Sequence, residues 1–241
     1  MGFNAAVAAM AIIAGAIASV AGFGVGSILT PLIALQYGTK LAVSAVSVPH
    51  AIATAIRFWK IRGQVDRRVF FGFGLLNAAG ALAGALAHNR MNSPVLSRAL
   101  GALLLFAGIL GVTGYAEKLR FGRLASWAAG VASGAFGGLV GNQGSIRSAA
   151  LLGLGVHRDA FVATATATAL AVDAVRMPIY IATGWQKMLD AWPVIVCAIA
   201  GVVAGTLAGV RILRRIPEKA FRRTVSAILL VIGIALLGGI A

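Results

Sequence analysis

Acidic side chains are scarce in this chain. Six Asp and Glu stand among 241 residues, against 21 Lys and Arg, and all four charged types together make up only 11%. There is one cysteine, Cys197, and there are three histidines. That leaves no His/Cys/Asp/Glu cluster with the spacing of a metal centre, so neither a metalloenzyme nor a bound cofactor is expected. One cysteine also excludes an intramolecular disulfide. Cys197 lies inside the apolar run 191–210 and reads as a small buried residue. No Lys or Arg precedes Lys40, so the amino-terminal apolar run lacks the charged region of a cleaved signal peptide.

What is present is apolar. Hydrophobic residues make up 60% of the chain and the mean hydropathy is +0.93. Soluble domains are about half apolar and about a quarter charged, so lipid is the expected solvent and a multi-pass protein of the cell inner membrane the expected class. A net charge of +15 would suggest nucleic acid in a soluble protein. Here the basic residues fall mostly between apolar runs, where topology explains them, and no basic-aromatic surface motif supports nucleic-acid binding.

The apolar segments run over 3–21, 26–37, 41–58, 69–88, 95–114, 124–141, 144–156, 160–182, 190–210 and 223–240. A spanning helix needs about 20 residues. Segments 26–37 and 144–156 are too short, and each follows a glycine-rich break, "AGFGVGS" or "GLVGNQGS". Open backbone at membrane depth is tolerated only beside protein or a watery cavity, so both places are expected to be broken or re-entrant helices.

The two places correspond. "GSILTPLI" from residue 26 falls on "GSIRSAAL" from residue 144. With one residue of slippage, the stripe Ser47, His50, Thr54, Arg57 falls on Thr166, Ala169, Asp173, Arg176. "AGALAGALA" (79–87) falls on "AGVVAGTLA" (200–208), and Pro94 near Pro217. The expected fold is therefore an all-α integral membrane protein of two repeats, each with a broken or re-entrant helix pair plus three spanning helices. The first repeat covers 1–114, a cytoplasmic linker 115–123 and the second repeat 124–241. An odd number of crossings per repeat makes the pair inverted. Inversion gathers the basic residues of 57–68, 115–123 and 211–223 with Arg158 on one side, fifteen in all, against Lys40, Arg90, Arg98 and Lys187 on the other. The rich side is expected to be cytoplasmic, and both termini outside.

Inverted repeats with paired broken helices mark secondary transporters, whose anionic substrates meet half-helix N-termini near the midplane. Glycine lets a ligand approach that backbone closely. The expected substrate-binding residues are Gly24, Gly26, Ser27, Ser47 and His50 from the first half, and Asn142, Gln143, Gly144, Ser145, Arg147 and Thr166 from the second.

The motif "AGFGVGSILTPLIAL", followed by "AVSAVSVPHAIATAIRFWKIRGQVD", resembles the glycine-rich element and next helix of the sulfite exporter TauE/SafE family of membrane anion transporters. That family repeats a G-x-G-G-G-x-hydrophobic-x-x-P-x-L element in both halves. The first copy here matches at Gly22, Gly24, Gly26 and Pro31, with Val25 in place of the middle glycine. The second carries Asn142 and Gln143 where glycines are common, and Ala149 in place of the proline. The resemblance implies a secondary transporter for sulfite, sulfonates or another small inorganic or organic anion. An uncoupled channel, or a carrier for another anion such as a carboxylate, is the alternative. A homodimer is compatible with either.

A charge in a spanning segment is costly and marks a functional site. Two readings compete for Arg147. Its guanidinium can clamp an oxyanion in bidentate fashion, or it can pair with Asp173. Asp173 and Arg176, at i and i+3, can also pair with each other. His50 titrates near neutral pH and is either a proton-coupling group or a core histidine. Arg57 near a helix end is expected to snorkel, Asn77 to bridge helices, and the run "TATATA" (164–169) to line the cavity or back-bond to its own helix.

Overall fold

Two short helices carry the architecture, and glycine ends or interrupts each of them. In the computed structural model, which describes residues 2–22, 24–115, 122–156, 158–213 and 218–239, α1 (Gly2–Ala21) stops at Gly22, whose φ is +76°. The chain re-enters as α2 (Val25–Ile61), which breaks at Gly38 (φ +75°, ψ +154°) into limbs 25–37 and 39–61. The break is held from outside. Ser93 Oγ accepts the Lys40 N–H at 3.2 Å, and Lys40 Nζ donates to the carbonyls of Asn89 and Met91 at 2.8 and 2.9 Å. The second half repeats the plan. Helix α6 (Arg123–Val140) ends at Gly141 with φ +72°; α7 (Gly144–Gly153) is ten residues long and closes at Gly155 with φ +69°. Then α8 (Arg158–Asp190) begins. An L-residue resists these positive angles because its Cβ meets the carbonyl, so glycine marks each break.

Between these lie a short turn, α3 (Arg67–Val69), leading through a wide turn at Phe70–Gly74 into α4 (Leu75–Arg90), then α5 (Ser93–Thr113). After α8 come α9 (Trp192–Leu213) and α10 (Glu218–Leu237). The expected linker 115–123 falls mostly outside the described residues, as does Pro217. Five stretches are long and apolar enough to cross a membrane: Gly2–Ser19, Val25–Gln64, Arg67–Arg90, Ser93–Thr113 and Ala160–Asp190. Three shorter apolar helices, Leu124–Val140, Trp192–Ala208 and Thr224–Leu237, accompany them.

The helices pair across the halves: α1 along α9, α4 along α6, α5 along α10 and α2 along α8. Small residues make two of these seams. A Cβ on Gly201 or Gly205 would strike the carbonyls of Ala8 or Ile12, and one on Gly80 or Gly84 those of Val131 or Ala135. Four residues apart, these glycines form one stripe per helix and let backbones touch, the usual means of helix association in lipid. Asn77 Nδ2 donates to the Gly130 carbonyl at 2.9 Å, bridging α4 to α6 as expected. The outer faces carry exposed Leu82, Leu86, Phe106, Ile109, Val231 and Ile234, the surface a hydrocarbon solvent stabilises.

The bonds at the breaks repeat at one spacing. The Gly22 N–H donates to the Ala18 carbonyl, and the Gly141 N–H to the Gly137 carbonyl. An arginine from the following long helix reaches the same oxygen in each case: Arg57 to Ala18 and Arg176 to Gly137. The first turns agree, with the Ile28 N–H on the Gly24 carbonyl and the Arg147 N–H on the Gln143 carbonyl. Every pair is shifted by 119 residues. The slippage expected from the sequence is therefore absent here, and Arg147 stands opposite Ile28 rather than Leu29.

Candidate functional site

A helix that starts inside the bilayer leaves backbone donors without partners. Both α2 and α7 start inside the protein, and neither N-cap, Gly24 or Gln143, is a side-chain hydrogen-bonding cap. The two starts meet closely: a Cβ on Gly26 would lie 2.3 Å from the Gly141 carbonyl oxygen. Beside them lies a small polar cavity with about 230 Å³ of non-atom space, counted out to its open mouth, lined by Gly24, Gly26, Ser27, His50, Gly141, Asn142, Gln143, Gly144 and Arg147. The enclosed part is only about the size of one water, and its walls are mainly glycine, amide and guanidinium.

Eight of the residues singled out in the sequence are thus brought together. Ser27 Oγ donates to Asn142 Oδ1 at 3.1 Å, tying the two breaks across the cavity. The Gln143 carbonyl is fixed by Ser133 Oγ at 3.1 Å, while Gln143 Oε1 is buried without a partner. Arg147 is 2% exposed. Its Nη2 donates to the Gly22 carbonyl at 3.2 Å, and its Nε and Nη1 have no hydrogen-bond partner.

Three expectations change. Ser47 donates to the Ser44 carbonyl of its own helix at 2.6 Å and does not line the cavity. A serine in mid-helix readily back-bonds in this way. Thr166, the corresponding residue on α8, is also buried away from the cavity. In the same run, Thr164 Oγ1 accepts the Asp66 N–H at 3.0 Å, which ties the end of α2 to α8. Arg57 does not snorkel. It is 6% exposed and bound to the Ala18 carbonyl at the end of α1, because α2 continues to Ile61 and keeps Arg57 a full turn inside. Of Ser145, the backbone belongs to the first turn of α7.

Asp173 is not paired with Arg147. Its Oδ2 lies 2.7 Å from His50 Nδ1; its Oδ1 accepts from Arg176 Nε at 2.9 Å and lies 2.7 Å from Arg176 Nη2. Both carboxylate oxygens are occupied, and neither by Arg147. The i, i+3 pairing of Asp173 with Arg176 is as expected, and His50 links it across the halves to the cavity wall. Arg176 Nη1 also donates to the Gly137 carbonyl at 2.7 Å. Tyr180 Oη donates to the Gly138 carbonyl, and His88 Nδ1 lies 2.8 Å from the Leu139 carbonyl. The last-turn carbonyls of α6 are thereby satisfied one after another, as a helix end buried in lipid requires.

A model of the sulfite exporter TauE/SafE family matches residues 7–236, nearly the whole chain. The chain belongs to that family. Comparison with curated proteins and with solved structures gives no match. Membership in the TauE/SafE family, with several apolar helices, makes this a multi-pass membrane protein of a transporter family for sulfite or related anions. One lining residue was not singled out as ligand-binding in the sequence: Gly141, within the glycine-rich break "GLVGNQGS", where it ends α6.

Proposed function

We propose that this TauE/SafE member is a secondary transporter for a small sulfur-containing oxyanion or organosulfonate, bound between the starts of α2 and α7 and clamped by Arg147. One observation carries the reading: a buried guanidinium with two unpartnered nitrogens, Nε and Nη1, at a cavity that two uncapped helix starts share. A buried cation without a carboxylate is strongly unfavourable. An oxyanion supplies the missing charge and accepts from the planar fork, while the helix starts add backbone donors and about half a positive charge each. A thermal-shift screen with sulfite, sulfate, thiosulfate, small sulfonates and carboxylates tests it, because a ligand of the folded state raises apparent stability. Sulfur oxyanions should shift the transition and show saturable uptake into proteoliposomes. Stabilisation by carboxylates alone would refute the substrate class, and channel-like currents would replace the carrier by the uncoupled channel.

The two halves, 1–114 and 124–241, are proposed to be inverted repeats. The exchanged pairing of α1 with α9 and α4 with α6, and the recurring 119-residue shift, support this. Lys40 bonding into the α4–α5 turn, and Asp66 bonding Thr164 near the start of α8, agree with the expected sides. With Arg57 buried, the split of basic residues becomes fourteen against four, still placing 62–68 and 211–223 inside and both termini outside. Single cysteines at Gln64, Pro217 and Gly239 in a Cys197→Ser background should label from the inside, inside and outside. Labelling of Gln64 and Pro217 from opposite faces would overturn the inversion.

A further inference from the structure

The charges buried at the centre do not cancel. Arg57, Arg147 and Arg176 are all buried there, and Asp173 is the only buried carboxylate among the described residues. Asp173 is consumed by Arg176 and His50. Arg57 has instead a hydroxyl at the matching place: its Nη2 faces Thr54 Oγ1 at 3.4 Å, as Arg176 faces Asp173, again three residues earlier on the same helix. Its other contact is the neutral Ala18 carbonyl, and its Nε has no partner. Arg57 and Arg147 bind carbonyls one turn apart at the end of α1, those of Ala18 and Gly22, which brings the two cations near each other. The interior thus holds two positive charges in excess, one at the cavity wall and one behind it.

We infer that the cavity selects a doubly charged oxyanion over a singly charged one, and that Arg57 is the positioned charge that sets this preference. The inference rests on the anion-site reading of Arg147. In a water-poor interior a Coulomb interaction reaches beyond contact distance, so a cation that does not touch the ligand still favours each additional negative charge on it. Arg147, which lines the cavity, supplies the hydrogen bonds. Arg57 supplies field without contact, and for that reason discriminates by charge rather than by shape. The bonds to Ala18 and Thr54 hold it in place at no cost in charge, because both partners are neutral. The second half shows the alternative: there the equivalent arginine makes the same carbonyl bond but is paired with its own carboxylate and adds no net charge.

Methylphosphonate and methanesulfonate share a shape and differ by one charge at pH 9. Isothermal titration of the purified protein with each should give at least about tenfold tighter binding of the dianion. Thr54→Asp installs beside Arg57 the carboxylate that Arg176 already has. It should cut the preference to about threefold or less while methanesulfonate binding persists. Arg57→Gln should do the same. Equal affinities in the wild type would overturn the charge selection and leave the anion site standing, and an undiminished preference in a folded Thr54→Asp or Arg57→Gln protein would remove Arg57 from the role. Failure of both probes and of sulfate to bind the wild type would overturn the site itself. The wild-type pair decides the charge question even where a variant does not fold.

Discussion

The two halves of the molecule solve the same problem with different electrostatics. Each ends its first helix at a glycine inside the protein, and each sends an arginine from its long helix back to the exposed carbonyl, Arg57 to Ala18 and Arg176 to Gly137. The backbone arrangement is identical, since each carbonyl also accepts the N–H of the helix-ending glycine, Gly22 or Gly141. The charge arrangement is not. In the second half Asp173 neutralises the capping arginine; in the first, Thr54 only accepts from it. Further in, the second half carries Arg147 where the first has Ile28, and the first carries His50 where the second has Ala169. What repeats is what closes the backbone. What differs is concentrated at the cavity, where the anion is proposed to bind.

The sharpest way to break this comparison is to exchange the residues that differ. Arg147→Met removes the guanidinium lining the cavity, while Ile28→Met, at the matching place, conserves volume. Anion affinity should fall on the order of a hundredfold in the first and by no more than about twofold in the second. Arg147→Lys should lie between, because the ammonium keeps the charge and loses the fork. Titration calorimetry reads all three. Equal losses at the two positions would make them interchangeable packing residues.

Stability should separate the halves as well. Asp173→Asn leaves Arg176 buried without a counter-charge, a loss of about 3–5 kcal/mol. Thr54→Ala removes one long hydrogen bond from Arg57 and should cost about 1 kcal/mol or less. The double variant Asp173→Asn, Arg176→Met should recover part of the first loss, because the unpaired charge is gone. Denaturation in detergent measures each. A Thr54→Ala protein as unstable as Asp173→Asn would show that the first half depends on its hydroxyl as the second does on its carboxylate.

These asymmetries were only partly legible in the sequence. The breaks were, since glycine clusters in front of short apolar runs leave few other structures. So was the face shared by His50, Thr54 and Arg57, from helical spacing, and the gathering of Gly24, Gly26 and Ser27 with Asn142, Gln143, Gly144 and Arg147. The partners were not. Arg147, Arg176 and His50 all compete for Asp173, and periodicity cannot rank groups that meet from different helices. Arg57 looked peripheral because hydropathy sees the end of an apolar run; it is buried because α1 ends beside it, a tertiary fact. The one-residue slip arose from matching "GSI" to "GSI", whereas the first helical hydrogen bonds at Ile28 and Arg147 set the register.

The smallest expected effect on the fold concerns His50. It has no counterpart on α8, where Ala169 stands, and it reaches from the first half to the second half's carboxylate at 2.7 Å while lining the cavity. That position lets a proton on the ring influence both Asp173 and an anion. The structural contribution is a single hydrogen bond. His50→Gln retains a donor of similar reach, so stability should fall by about 1 kcal/mol or less and anion affinity by no more than about threefold. A proton that travels with the anion must sit on a group that titrates near neutrality, and histidine is the side chain suited to that. Proteoliposome uptake measured from pH 5.5 to 8 should therefore vary with pH in the wild type and flatten in His50→Gln. If the variant keeps the wild-type pH profile, His50 serves only to hold Asp173 and the coupling ion is not carried there. If uptake flattens but stability also collapses, the bond to Asp173 is the main role and the pH effect follows from it. A flat profile in a stable, anion-binding His50→Gln protein is the result that would assign the first half its own chemistry.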